Sequence, residues 1–208
     1  LSTWAHIREG LHYVIGDRRV ALLALNIAVL SVFGFPFLVL MPVVARDVLG
    51  RGAVEFGWMS SAVGAGAMVG ALGLAAFATR LPKGQVLRWT SLVFGVILWL
   101  FALSRSLPLS LAILALTGFT MIVNTATTNT LMQTLAPDEL RGRVMSVYTL
   151  AFIGMGPIGA LQAGWLADRI GAPATLMVGG AVCTLFAWVA GGRTRSLDPA
   201  SSLRRLHD

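Results

Sequence analysis

Charge is scarce in this sequence. Of its 208 residues, 12% are Asp, Glu, Lys or Arg, whereas 56% are hydrophobic. Soluble domains carry about 25% charged residues, so the polar side chains here are too few to cover a water-soluble globule. The composition therefore excludes an ordinary soluble domain and predicts a membrane protein.

Charge is absent from most of six long apolar stretches. They contain no Asp, Glu, Lys, Arg or His except Arg88, which lies near the start of the third and can extend to the membrane interface. A hydrocarbon core about 30 Å thick takes roughly 20 residues of helix. The sequence therefore predicts an all-α protein with six transmembrane helices, at residues 20–45, 56–79, 86–104, 106–137, 144–167 and 170–192.

Groups that support catalysis or metal binding are missing from these stretches. His6, His12 and His207 lie outside all six, so no serine within a span has a histidine base in the same membrane layer. No metal-ligand spacing occurs in the sequence, and the single cysteine, Cys183, permits no intrachain disulfide. We predict no enzyme activity, no metal and no other cofactor.

Basic residues outnumber acidic ones by 16 to 9, which gives a net charge of +7. With six spans, both termini lie on one side of the membrane, and that side holds 12 of the 16 basic residues. The positive-inside rule then predicts that both termini are cytoplasmic. Because the basic residues fall between apolar spans, and not on one soluble face, we expect no nucleic-acid partner.

Two polar segments flank the predicted six-helix domain at 20–192. In residues 1–19, Trp4, Ile7, Leu11, Val14 and Ile15 recur at helical spacing, which predicts an amphipathic helix in the membrane interface. The alternative is an ordinary connecting helix. Asp17 is placed to cap the helix that follows. The arginine-rich tail at 193–208 is expected to be solvated and cytoplasmic.

Polar and aromatic side chains within two spans are candidates for a substrate cavity. Lipid offers no hydrogen-bond partner, so polar side chains in a span must face protein or a water-filled cavity. The alternatives are hydrogen bonding between helices in span 4 and lipid-facing aromatic side chains in span 1, where Pro36 also predicts a kink. The candidates are Asn26, Phe33 and Phe35 in span 1, and Thr117, Thr120, Asn124, Thr127 and Thr128 in span 4.

Glycines mark spans 2 and 5. Gly66 and Gly70 fall on nearly one face of span 2, where a neighbouring helix can approach closely. Gly156, Pro157 and Gly159 lie together in span 5, and Pro157 leaves a backbone carbonyl without its usual donor. These residues predict either tight helix packing alone or, in addition, a hinge.

Four segments resemble a known family. They read EGLHYVIGDRRVALLALN at 9–26, FGFPFLVLMPVVARDVLG at 33–50, LAPDELRGRVMSVYTL at 135–150 and GPIGALQAGWLADRIG at 156–171. Together they resemble the C-terminal half of a major facilitator superfamily transporter, and are most similar to the bacterial branch that includes enterobactin exporters and macrolide efflux proteins. The charged cytoplasmic loop in the third segment contains Asp138, Glu139, Arg141 and Arg143.

The resemblance implies one six-helix half of a twelve-helix fold. Spans 1 and 4 would line a central cavity, spans 2 and 5 would pack against the other half, and spans 3 and 6 would lie outside. Residues 1–19 would then be the linker between the halves. Such folds work by rocking two halves about a site near the membrane midplane.

The implied function is secondary active efflux, by antiport across a bacterial inner membrane, of a small amphipathic molecule such as a drug or siderophore. The implied partners are the lipid bilayer and a missing N-terminal six-helix half. The chain starts at Leu1, without an initiator methionine, which favours that reading. The alternatives are a second copy of this chain, forming a homodimeric transporter, and a membrane scaffold or remnant that does not transport.

Overall fold

A computed structural model of the protein describes residues 3–77 and 81–194. Within these residues the regular structure is entirely helical, and six helices are long and apolar enough to cross a membrane. The predicted all-α membrane fold is therefore confirmed. The helices, called spans 1 to 6, are Arg18–Val48, Ala53–Phe77, Lys83–Leu103, Leu107–Leu135, Arg141–Ile170 and Ala172–Gly191.

The two flanking segments are described in part. A helix at Thr3–Gly16, called α1, precedes span 1, and the helix of span 6 continues to Thr194, so the first two residues of the predicted tail are helical. The rest of that tail, residues 195–208, lies outside the described residues, as do residues 1–2 of the predicted linker and residues 78–80 of the loop after span 2.

Helix α1 packs against the start of span 5. A Cβ atom on Gly10 would lie 2.8 Å from the carbonyl oxygen of Arg143, so glycine lets the two backbones meet. The Tyr13 hydroxyl donates to the carbonyl of Leu135 at 3.4 Å. Val14 is buried, while Leu11 and Ile15 are exposed. The apolar stripe predicted for this helix therefore divides between a protein-facing side and an exposed side.

Asp17 caps span 1 as predicted. Its carboxylate accepts hydrogen bonds from the backbone N–H groups of Arg19 at 2.8 Å and Val20 at 3.4 Å. These N–H groups have no partner within the helix, and a short acidic side chain in front of them is the usual way to satisfy them.

Wide π-helical turns interrupt spans 1 and 5. They occupy Leu30–Gly34 and Val44–Val48 in span 1, and Leu150–Gly154 in span 5. Each lies within three residues of a proline, namely Pro36, Pro42 or Pro157. Proline cannot donate to the carbonyl four residues earlier, so a local change of helical pitch is expected beside it. The irregularity predicted at Pro36 is present, as a π-turn that ends just before it.

Glycines allow two pairs of spans to cross closely. Spans 2 and 4 meet where Gly66 faces the backbone of Ala115 and Gly118 faces the backbone of Val63, in each case with no room for a Cβ atom. Spans 3 and 6 meet at Gly95 and Gly180, where an added Cβ would lie within 2.8 Å of the opposing carbonyl oxygen. Small residues that let backbones approach are the characteristic contact between helices in lipid.

Span 1 lies between these two pairs of spans and packs against spans 3, 5 and 6. Gly159 of span 5 faces the carbonyl of Ser31, and Gly179 of span 6 faces the carbonyl of Phe33. The ring of Phe35 makes edge contacts with Phe94 of span 3 and Phe152 of span 5, with centroids 6.1 and 5.8 Å apart. The first π-turn of span 1, Leu30–Gly34, and Phe35 directly after it therefore form a central packing point of the bundle.

We predict that valine at Gly66 destabilises the fold, because its side chain would enter the backbone of Ala115 and force spans 2 and 4 apart. Overpacking of this kind costs about 1–3 kcal/mol. The measurement is the melting temperature of the purified protein in detergent, read from the loss of its helical circular dichroism signal on heating.

Gly64→Val is the matched control. It makes the same change two residues away, where an added Cβ meets nothing within 4 Å, and should melt close to wild type. Equal melting temperatures for the two variants would contradict a tight crossing at Gly66.

Candidate functional site

A buried hydrogen-bond network joins spans 1, 3 and 4. The Asn26 amide donates to the Asn124 carbonyl oxygen at 3.0 Å, and the Asn124 amide donates to the hydroxyls of Ser91 at 2.7 Å and Thr90 at 3.0 Å. The Ser91 hydroxyl in turn donates to the Asn26 side-chain oxygen at 3.0 Å. Both amide side chains are thus satisfied by side chains from other spans.

Thr128 belongs to the same network. Its hydroxyl donates to the backbone carbonyl of Asn124 at 2.8 Å and accepts from the Asn26 amide at 3.4 Å. Asn26, Asn124 and Thr128 are 4%, 1% and 0% exposed. All three side chains therefore make hydrogen bonds between helices, which was the alternative to a cavity wall for Asn124 and Thr128 but was not predicted for Asn26.

The other predicted polar residues of span 4 are also buried. Thr117 and Thr120 donate to the backbone carbonyls of Ile113 and Leu116, one turn earlier. The Thr127 hydroxyl is buried and has no hydrogen-bond partner among the described residues. In span 1, Phe33 is partly buried and packs on the larger apolar core cluster. The structure therefore places these four in the packing between helices.

An open groove lies beside this network, between spans 1, 4 and 5. Its volume is about 390 Å³, within the range of about 300–1,000 Å³ typical of ligand clefts. Phe35 is the predicted cavity residue that reaches it. The lining residues are Ser31, Phe35, Pro36, Leu38 and Val39 from span 1, Met121, Ile122 and Thr125 from span 4, and Phe152, Ile153, Gly156 and Ala160 from span 5.

The groove wall is apolar, with two hydroxyl groups. The Ser31 hydroxyl donates to the carbonyl of Phe152 at 2.9 Å, and the Thr125 hydroxyl donates to the carbonyl of Met121 at 2.9 Å. Each hydroxyl thus donates its proton to the backbone, and Ser31 and Thr125 are only 1% and 8% exposed, so they add little polar surface to the groove. None of the described residues in the wall is titratable, so the groove favours apolar and aromatic surface with a few weak polar contacts.

The Ser31–Phe152 hydrogen bond connects two π-turns across the groove. Ser31 lies in the π-turn of span 1 and Phe152 in that of span 5. Single π-turns inside α-helices occur frequently at functional sites. Here they place the irregular backbone of both spans at the groove, where small changes in pitch would change its width.

The predicted packing and hinge residues have different surroundings. Gly66 and Gly70 both lie at the contact with span 4. Gly159 is pressed against span 1, while a Cβ at Gly156 would meet nothing within 4 Å. Pro157 stands in the first turn of the regular helix after the π-turn of span 5. Whether this segment acts as a hinge stays a prediction.

The charged loop between spans 4 and 5 is partly helical. Arg141 and Arg143 lie in the first turn of span 5, after a turn that contains Asp138 and Glu139. The Arg141 guanidinium donates to the Asp138 carboxylate at 2.6 Å and to the carbonyl of Gln133 at 3.0 Å. These bonds tie the end of span 4 to the start of span 5, and both partners are too exposed for a large gain in stability.

Comparison with known proteins gives the following matches. A family model described as transmembrane secretion effector matches residues 3–203. A multidrug efflux pump, Tap, of Mycolicibacterium fortuitum is 35% identical over 149 residues, which is 71% of this chain and 36% of that protein. The Tap pump of Mycobacterium tuberculosis strain H37Rv is 35% identical over 124 residues, or 60% of this chain and 30% of that protein. No solved structure matches.

We predict that Asn124→Leu lowers stability, because it leaves Asn26, Ser91 and Thr90 without their shared partner. A buried polar group left unsatisfied costs about 1–3 kcal/mol, and polar contacts between membrane helices average nearer ~0.6 kcal/mol. A fall in melting temperature in detergent would register this loss.

Gln133→Leu supplies the control. Gln133 is exposed, and its side-chain amide donates to Asn129 on the same helix, so this variant should melt near wild type. If Asn124→Leu melted at the same temperature as Gln133→Leu, the network would have no structural role.

Proposed function

The chain belongs to the transmembrane secretion effector family of the major facilitator superfamily, and from that membership we propose that it forms one six-helix half of a transporter that exports small amphipathic molecules. The observation that carries the proposal is its similarity to the Tap multidrug efflux pumps. The chain spans about a third of the length of these curated relatives, which is compatible with one half of a twelve-helix protein. Membership of a transporter family also indicates a protein that is not an enzyme.

We propose that the groove between spans 1, 4 and 5 is this half's contribution to the substrate pathway. It lies midway along all three spans, as expected for a binding site near the membrane midplane. Its apolar wall, with Phe35, Phe152 and two hydroxyls, suits amphipathic molecules and selects weakly among them. In this proposal Asn26, Asn124 and Thr128 hold spans 1, 3 and 4 in register behind the wall, and do not contact the substrate.

A partner for the groove is needed on its open side. Of the 18 most apolar consecutive residues in each span, 17% are buried in span 2 and 28% in span 5. In the other four spans the buried share is 44–50%. Met68 and Leu72 of span 2, and Ile153 and Leu161 of span 5, are each more than 60% exposed. These faces favour a large apolar partner, which we propose to be an N-terminal six-helix half.

The structural basis for movement would be the π-turns of spans 1 and 5. Alternating access in such folds combines rocking of one bundle against the other with gating around a fixed site, and both interrupted spans border the groove. We propose that the contact of Gly159 with the Ser31 carbonyl, together with the Ser31–Phe152 hydrogen bond, makes these two spans move as a pair. Spans 2, 3, 4 and 6, together with the first part of span 1 that Asn26 ties to spans 3 and 4, would remain rigid.

Location and orientation follow from the charge distribution. We propose a multi-pass protein of the bacterial inner membrane with both termini in the cytoplasm, supported by the 12-to-4 distribution of basic residues. Residues 1–19 would then be a cytoplasmic linker to the other half, with α1 resting on the loop between spans 4 and 5. Residues 193–208 would be a cytoplasmic tail.

We predict that Ala160→Phe, which fills the groove, slows ethidium efflux from cells that express the complete reading frame containing this chain. A reduction of about tenfold would correspond to roughly 1.4 kcal/mol of lost substrate binding. Membrane abundance of the variant is measured alongside, so that loss of protein is not mistaken for loss of transport.

The matched control is Ala112→Phe, which adds the same ring to an exposed position of span 4 away from the groove. It should leave efflux unchanged. Equal efflux in both variants would contradict the groove as a pathway. Two further outcomes distinguish the alternatives. A homodimer would be favoured if this chain, expressed alone, supported efflux and its Leu161→Cys variant formed disulfide-linked pairs. A scaffold would be favoured if cells expressing the complete reading frame showed no efflux.

A further inference from the structure

Helix α1 and span 1 are separated by a single residue, Asp17. The Asp17 N–H donates to the carbonyl of Tyr13 at 2.9 Å, and the carbonyl of Asp17 accepts from the N–H of Ala21 at 2.8 Å. Backbone hydrogen bonds thus continue on both sides of the junction. Since no loop separates the two helices, α1 has little freedom to move away from the start of span 1.

The end of span 4 also holds α1. The Tyr13 hydroxyl donates to the carbonyl of Leu135, the last residue of that span, at 3.4 Å. Deeper in the bundle, the Asn26 amide donates to the Asn124 side-chain oxygen at 3.0 Å and joins spans 1 and 4 directly. Helix α1 is therefore attached to two spans that are bonded to each other, and it belongs with the part of the bundle that would remain rigid.

The first segment of span 5, Arg141–Thr149, packs against α1. Gly10 meets the backbone of Arg143 so closely that an added Cβ atom would lie 2.8 Å from its carbonyl oxygen. Val14 is 4% exposed and belongs to the same buried apolar cluster as Val144, which is 0% exposed. Helix α1 therefore covers part of the apolar surface of this segment.

The apolar core divides near the π-turn of span 5, Leu150–Gly154. Before this turn, Val144 and Val147 share the cluster of Val14. After the turn, Ala163 belongs to the other buried cluster, with residues of spans 1, 2, 3, 4 and 6. Sharp bends in helices occur at such π-turns, so a bend here would move the first segment of span 5 against α1 and leave the second cluster in place.

We propose that α1 is a latch for the first segment of span 5: it holds Arg141–Thr149 against the bundle in this conformation and must release it when the groove of spans 1, 4 and 5 opens. The segment lies between that groove and the proposed cytoplasmic end of span 5, so the groove cannot widen toward the cytoplasm while the segment stays in place. Because α1 is attached to spans 1 and 4, outward movement of the segment separates it from α1. The latch rests on the proposed transport function, since it acts by controlling the opening of that groove.

The test is a disulfide between α1 and span 5, formed in the complete reading frame that contains this chain, with its other cysteines replaced by alanine. A Cβ atom on Gly10 would lie 3.1 Å from the Cβ atom of Arg143, and a disulfide needs these atoms about 3.5–4.5 Å apart. A small shift of α1 therefore lets Gly10→Cys and Arg143→Cys join. In inside-out membrane vesicles, oxidation of this double variant should stop ethidium uptake, and dithiothreitol should restore it.

A crosslink from α1 to span 4 is the matched control. A bifunctional maleimide that joins Tyr13→Cys to Leu135→Cys ties the same helix to a span that it need not leave, so ethidium uptake should continue. The extent of both crosslinks is measured by gel mobility after cleavage of the chain between the joined positions.

Undiminished uptake with the disulfide fully formed would overturn the latch, and so would loss of uptake with the control crosslink. If the first double variant failed to fold, Val144→Cys would decide. Its thiol, at a position buried here, should react with a maleimide during transport, and no reaction would overturn the latch. No uptake by wild type would instead overturn the proposed function, and the latch with it.

Discussion

The absence of hydrogen-bond partners in lipid is the constraint on which this structure depends. Span 4 contains many polar side chains, and the fold satisfies two of them, Asn124 and Thr128, by directing them at side chains of spans 1 and 3. Asn124 bonds to Asn26, Ser91 and Thr90, while the neighbouring threonines return their protons to the backbone. The network requires spans 1 and 3 to lie next to span 4, because both must be within hydrogen-bonding reach of Asn124.

Close crossings at glycine provide the second level of organisation. The crossings of spans 2 with 4 and 3 with 6 leave span 1 at the centre, touched by glycines from spans 5 and 6. Spans 1 and 5 contain the π-turns, so the irregular backbone is concentrated in the two helices that share a groove. The positions of glycine and proline thus separate closely crossed, regular helices from the two interrupted ones.

Much of the fold could be predicted from the sequence. The six spans could be recognised because charged residues are absent from long stretches, and the start of span 1 could be recognised from the capping residue Asp17. The candidate site was less predictable. Hydropathy shows that Asn124 and Thr128 avoid lipid, but not whether they face a helix or a cavity, because both choices satisfy the same constraint. Ser91 and Ser31 are isolated polar residues whose partners lie 65 and 121 residues away in sequence. Ile122, two residues from Asn124, occupies a different helical face, and only the arrangement of span 5 shows that this face borders a groove.

Thiol labelling of span 4 would test most directly whether its polar stripe is structural and its neighbouring face forms the pathway. In a background with Cys183 replaced by alanine, Thr125→Cys and Thr128→Cys would each be exposed to a small maleimide, with and without ethidium. The same labelling is applied to Ile122→Cys, a partly exposed position in the groove wall. We expect Ile122→Cys to react and to be protected by ethidium, and Thr125→Cys and Thr128→Cys, at two buried positions, to remain unmodified. Rapid labelling of Thr128→Cys with protection by ethidium, and none at Ile122→Cys, would contradict this assignment and return the pathway to the polar stripe.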